Sequence, residues 1–130
     1  MHIGLVTILV PDYDEGIRFF LDGVGFSLAE DTDLGEGKRW VVVSPGEPFA
    51  TSLLLAQADG PNQAAAIGRA AGGRVGFFLM SDDFAGRHAR MVAGGVQFLE
   101  DPREEPYGIV AVWRDPWGNL WDLLEPRRTA

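Results

Sequence analysis

The chain repeats itself. Shifted by 70 residues, it superposes Leu9 on Leu79, Asp12 on Asp82, Gly16 on Gly86, Gly25 on Gly95, Glu30 on Glu100 and Asp31 on Asp101 without a gap. Each identity alone is weak. Together they accompany a recurring order of elements, and an internal repeat constrains the architecture before any single element does. Residues 3–10 are an apolar, β-branched run that reads as a buried strand. Asp12, with Glu15 three residues on, starts a helix carrying Ile17, Phe20, Leu21 and Val24, which Gly23 and Gly25 stop. Strands are expected over 26–33, 39–44 and 51–57. Residues 58–73 are rich in Ala, Gly and Asn/Gln and read as a connector with a short helix begun by Pro61. The pattern then restarts. A strand spans 75–80, Asp82 or Asp83 caps a helix bearing Phe84, His88, Met91 and Val92, and strands follow over 96–100, 109–114 and 119–124. The fold class expected is therefore α+β, built from two βαβββ modules at 1–57 and 74–126 of one 1–130 domain.

The bulk numbers exclude several function classes. At 130 residues the chain can bury a real core. No apolar run is long enough to cross a membrane, and the N-terminus lacks the features of a signal peptide. With no cysteine there are no disulfides, thiolate metal sites or cysteine nucleophiles, and a cytoplasmic setting is expected. The net charge of −8, with a dense basic pair at Arg127-Arg128 and no larger basic cluster, speaks against nucleic acid. It favours a cationic small molecule over an anionic one.

Near the C-terminus, Asp115-Pro116-Trp117-Gly118 suits a type I turn. The strand after it alternates faces, with Leu120, Asp122 and Leu124 on one and Trp121, Leu123 and Glu125 on the other. Asp122 is thus a carboxylate among leucines, costly unless something pairs with it. A structural bond to Arg39, Tyr107 or a backbone amide is one reading. A cavity acid that orients a ligand, or a general base, is the other.

Three stretches carry a resemblance. Val6-Thr7-Ile8-Leu9-Val10-Pro11-Asp12, followed by Ile17-Arg18-Phe19-Phe20 and Gly25-Phe26, is one. Lys38 to Pro45 is the second, and Asp115-Pro116-Trp117-Gly118-Asn119 the third. Paired βαβββ modules with these motifs resemble the vicinal oxygen chelate superfamily, which includes glyoxalase I, extradiol dioxygenases and bleomycin-resistance proteins. The resemblance implies sheets curved around a central cavity, and a homodimer. In metal-using members four side chains converge there, because an open divalent site needs several hard or imidazole ligands. The matching positions here are Leu5, Leu54, Val75 and Asp122, of which one can ligate. His2 and His88 have no metal-ligand spacing. No metal or other cofactor is expected, a displaced divalent-metal site being the alternative.

The cavity-lining residues expected are therefore Leu5, Thr7, Leu54, Val75 and Asp122, joined by Trp40, Trp113 and Phe77. Phe77 enters because alternation pairs it with Val75. Alternation alone does not say which side Trp113 and Trp121 face, so sheet core, dimer contact and ligand-stacking wall stay open. Asp12 and Asp82 read as helix caps rather than twin carboxylates. The acidic runs at 30–33 and 100–105 read as solvated loops, with a cation-attracting rim as the alternative. The function expected is small-molecule binding without a metal, of the antibiotic-binding type. The alternatives are a glyoxalase-type lyase, isomerase or dioxygenase with a displaced metal, and a metal-free enzyme that uses Asp122.

Overall fold

The computed structural model of the protein describes residues 1–128. The chain divides into two compact units between Ile67 and Gly68, inside the expected connector.

In the first unit, β1 (Leu5–Val10) leads into α1 (Tyr13–Arg18). The helix continues as a π-helical segment over Phe19–Val24. It is followed by β2 (Ser27–Gly35), β3 (Lys38–Ser44), β4 (Ser52–Gln57) and α2 (Pro61–Ala66). The strands form a mixed sheet in the order β1-β4-β3-β2, with β1 parallel to β4 and the other pairs antiparallel. Alternate residues of β1, β4 and β3 point to one face. Ile8 pairs with Leu55, Leu55 with Val41, and Leu53 with Val43. α1 packs on this side, where Val10, Phe20, Val24, Val41, Val43 and Leu55 are fully buried. Each such side chain contributes about 1.5–3 kcal/mol of burial. Gly16 permits the close approach, since a Cβ there would lie 3.1 Å from Leu55 and 3.2 Å from Val10.

In the second unit, β5 (Val75–Met80) leads into α3 (Phe84–Ala93), then β6 (Gln97–Phe98), β7 (Arg103–Glu105), β8 (Gly108–Arg114) and β9 (Leu120–Pro126). The sheet runs β5-β9-β8-β6, with β7 also pairing β8. The strand expected over 96–100 is therefore split into β6 and β7. Pro102 has no N–H to offer a ladder, and the Glu100 side chain takes a strand's place by accepting from Val112 N at 2.8 Å.

Both helices start by the same device. Asp12 accepts from Glu15 N at 2.9 Å and Asp83 from Gly86 N at 3.0 Å. A last-strand side chain accepts the first helical amide in each unit: Gln57 from Tyr13 and Glu125 from Phe84. The structural counterpart of Asp12 is thus Asp83, one residue beyond the ungapped match to Asp82. At the other end Gly25 (φ 97°) and Gly95 (φ 86°) return to the 70-residue shift. The first helix therefore holds one residue more, and the π-helical turn at Phe19–Val24 absorbs it.

The β8–β9 turn is held by a single buried carboxylate. Asp115 is 3% exposed. It accepts from Trp117 N (3.1 Å), Asn119 N (2.9 Å), Asn119 Nδ2 (2.9 Å) and Trp121 Nε1 (3.1 Å). Asn119 Oδ1 in turn accepts from Ala70 N, which ties the second half of the connector to the turn. Gly118, at φ 109°, closes the turn as expected, its amide bonding to Asp115 O. Replacing Asp115 with Ala should leave four donors unanswered. We expect a loss of about 3 kcal/mol or more, or roughly 10 °C in Tm, measured by thermal denaturation. A loss below about 1 kcal/mol would show that water substitutes for the carboxylate.

Candidate functional site

Paired residues on neighbouring strands point to the same side of a sheet, so the ladders define which side chains share the face that each helix leaves open. In the first sheet Leu5 pairs with Ser52, Thr7 with Leu54, and Leu54 with Val42. Trp40 lies two residues before Val42. Leu5, Thr7, Trp40 and Leu54 thus share one face, opposite the one α1 covers. Trp40 is 38% exposed on it.

In the second sheet Asp122 pairs with Val112 on one side and Phe78 on the other. Val75 pairs with Leu120, which shares Asp122's face by alternation. Val75, Phe78, Val112, Leu120 and Asp122 therefore line the open face. Two residues expected there do not. Phe77 pairs with Trp121 on the helix-covered face, and their rings stack at 4.5 Å. Trp113, fully buried, stacks on Trp121 from the other side at 4.7 Å. Phe77 is displaced by a bulge. Between Val75 and Phe77 the strand holds one residue that β9 does not match, Gly76, and the alternation reverses there. A side chain at Gly76 would meet the Cβ of Ala71 at 2.9 Å. Trp113 follows from hairpin register, since it faces Trp121, the neighbour of Asp122 and so on the opposite side.

Asp122 is 8% exposed, and its Oδ1 has no hydrogen-bond partner. Both partners considered for it are engaged elsewhere. Arg39 pairs with Asp31 at 2.8 Å and Asp14 at 3.0 Å in the first unit. Tyr107 lies 3.4 Å from Arg103 Nη1. Arg103 is the cation that Asp122 feels, yet its own bonds go to Glu100 (3.2 Å), Glu105 (2.6 Å) and Tyr107. Burial pushes the Asp122 carboxyl above the ordinary carboxylate range. The Arg103 charge opposes this and the Glu100 charge adds to it. The sequence alone does not place Phe78 or Arg103 at the site, and in it Glu100 reads as part of an acidic loop run. Gly76 within a strand was a readable hint of a bulge. The Glu100–Arg103 spacing hinted at a local ion pair, but nothing tied either residue to Asp122.

The four positions matched to a metal site do not fit one. Leu5, Leu54 and Val75 present only carbon, and Asp122 presents one carboxylate. Among the described residues no three His, Asp or Glu side chains are grouped to hold an ion, whereas a divalent metal needs several converging donors. His88 lies against Phe84 (5.5 Å) and Phe98 (4.3 Å), bordering the core of the second unit. His2 precedes β1 and lies edge-on to Phe49. The acidic runs expected in loops lie wholly or partly in strands: residues 30–33 are in β2, and Glu104 and Glu105 are in β7.

The raised Asp122 carboxyl has a stability consequence. Between its ordinary and raised pKa the folded chain keeps a proton that the unfolded chain has lost. Stability therefore falls as pH rises through that window, and the full cost is present above it. Asp122→Asn should melt higher than the parent at pH 7, by about 1 kcal/mol. The difference should shrink as pH falls and vanish below about pH 3, where both states of the parent are protonated. Equal melting temperatures at pH 7 would show that ionised Asp122 is already paired in solution.

Residues 2–123 match the Glyoxalase/Bleomycin resistance protein/Dioxygenase superfamily. An uncharacterized protein of Shewanella frigidimarina (strain NCIMB 400) is 51% identical over 126 residues, covering 96% of this chain and 91% of that one. The crystal structure of UcmS2 superposes with a TM-score of 0.82 at 28% identity, over 95% of this chain and 97% of the other. That of TnmS3, an antibiotic binding protein from Streptomyces sp. CB03234, gives 0.77 at 30% identity, over 98% and 97%. With the family matched across nearly its whole length and two open βαβββ sheets in place, the chain belongs to the glyoxalase/bleomycin-resistance/dioxygenase superfamily.

Proposed function

We propose that this protein binds a small molecule without the catalytic metal of its metal-using relatives, and that Asp122 receives a cationic or hydrogen-bond-donating group of the ligand. The observation that carries this reading is the Asp122 carboxylate, nearly buried between Val112 and Phe78 on the neighbouring strands, with Oδ1 unpartnered. A buried acceptor left unsatisfied costs about 1–3 kcal/mol, and a ligand that supplies the donor recovers it. The acidic net charge favours a cation. Likeness to an antibiotic-binding protein at 30% identity supports the same ligand class and a role in antibiotic sequestration. The aliphatic Leu5, Leu54 and Val75 support metal independence. A homodimer and a cytoplasmic location belong to the same proposal; light scattering and cell fractionation test them.

A second reading is favoured by the raised Asp122 carboxyl. A carboxylate whose pKa is raised by burial can serve as a general base without a metal. On that reading Asp122→Asn abolishes turnover and leaves ligand binding largely intact.

Calorimetric titration with doxorubicin and metal-free bleomycin, both cationic and aromatic, tests the binding reading. At least one should bind stoichiometrically. Asp122→Asn should weaken it by about tenfold or more, the worth of one charge-assisted hydrogen bond. Absence of binding by either compound, or roughly one tightly held divalent metal per chain by elemental analysis, would overturn the reading.

A further inference from the structure

We infer that Phe78 is the ligand platform on the open face of the second sheet, and that with Asp122 it selects an aryl-methylamine unit, a flat ring carrying a protonated amine one carbon away. This rests on the proposed binding role of Asp122. It adds the residue that reads the ligand's ring and the spacing of its charge.

The bulge at Gly76 is the origin of the pair. Without it, alternation along β5 would send Phe77 outward and Phe78 inward. With it, Phe77 is locked beneath the sheet in the ring stack with Trp121 and Trp113, and Phe78 becomes the direct neighbour of Asp122. Phe78 is 57% exposed. A phenylalanine left in water forgoes a contribution of up to about 1.5–3 kcal/mol from burial. It stands next to a carboxylate that is nine-tenths buried and lacks a donor for Oδ1. One side chain offers an uncovered aromatic surface and the other an unanswered negative charge.

The occupant follows from complementarity and spacing. Neighbouring strands lie roughly 4.8 Å apart, so the group on Phe78 and the group on Asp122 must be separated by about the same distance. A ring with an amine on one methylene meets this. An anionic ligand does not, because a group seated on Phe78 lies against the neighbouring Asp122 carboxylate, which repels it. A purely apolar ligand would cover Phe78 but leave Asp122 unpaired and more deeply desolvated.

Two probes of equal shape separate the contributions: 2-naphthylmethylamine, a cation at pH 7, and 2-naphthalenemethanol, its neutral analogue. Affinities are read by NMR titration of the full chain. The amine should bind about tenfold tighter than the alcohol. Phe78→Ala should weaken both by roughly five- to tenfold, and Phe78→Tyr should restore them. Asp122→Asn should lower the amine to the level of the alcohol and leave the alcohol within about twofold. If Phe78→Ala leaves both affinities within twofold, the platform is not Phe78, although the role of Asp122 stands. If neither naphthyl probe binds while doxorubicin or bleomycin does, the aryl-methylamine assignment fails and the general binding reading survives. If nothing binds, both fail together.

Discussion

Everything that places Asp122 depends on another carboxylate seven residues earlier. Asp115 is buried without a cation among its bonded partners and is satisfied by four N–H donors, two from the backbone of its own turn and two from side chains. A carboxylate that accepts this many bonds is at home where an unpaired one is not. Its partners fix the turn between β8 and β9, and the turn fixes the register of the hairpin. With Arg114 opposite Leu120, Trp113 must meet Trp121 and Val112 must meet Asp122. A one-residue slip would exchange the faces, placing Trp121 outside and Asp122 in the core beneath α3. The indole of Trp121 bonds to Asp115 as well as packing, so the element that sets the register also holds one ring of the stack in place.

The second sheet is partitioned by two devices acting from opposite sides of β9. Hairpin register seats Trp113 and Trp121 below. The Gly76 bulge on the parallel neighbour brings Phe77 down onto them and turns Phe78 up. Either device alone would leave a gap in the ring stack or a conflict between strands. Both end at the connector: Ala71 crowds Gly76, and Ala70 N donates to Asn119. A segment that reads as weak, Ala- and Gly-rich linker is therefore the support on which the bulge and the turn both rest. Gly68, at φ 76°, lies against the carbonyl of Trp117, where no side chain could fit.

What was legible in the amino-acid order follows from how locally each feature is encoded. The two modules, the helix starts and the turn at Asp115 are written in short-range chemistry, and the repeat ties them together. The shared face of Leu5, Thr7, Trp40 and Leu54 was also legible, because simple alternation holds along that part of the first sheet. Alternation fails where the backbone departs from ideality. One unmatched glycine reversed Phe77 and Phe78. One extra helical residue, absorbed as a π turn, moved the partner of Asp12 from Asp82 to Asp83. The burial of Trp113 was recoverable in principle, since a four-residue turn at 115–118 dictates that it faces Trp121. That inference needs strand pairing as well as strand period. The Glu100–Arg103–Glu105 group was harder to foresee, because it forms where a strand is interrupted and a side chain replaces a ladder bond.

The contrast between the two acids is the strongest physical argument for a site. Asp115 and Asp122 lie on the same hairpin at similar burial, 3% and 8% exposed. One is surrounded by donors and stabilises the fold; the other has an oxygen with none and costs stability. Asp122 departs from the rule that a buried polar atom is paired, and a departure that the fold does not itself compensate marks a functional position more often than a structural one. The surroundings sharpen the point. Arg103 is near enough to act on Asp122 electrostatically, but its hydrogen bonds are taken by Glu100, Glu105 and Tyr107. If Asp122 were a structural ion-pair partner, Arg103 is the group that would bond to it. The acid is held instead in partial electrostatic compensation, with Oδ1 buried and unpartnered and an exposed ring on the neighbouring strand. That arrangement is unfavourable for a chain alone and favourable for a chain with a donor bound.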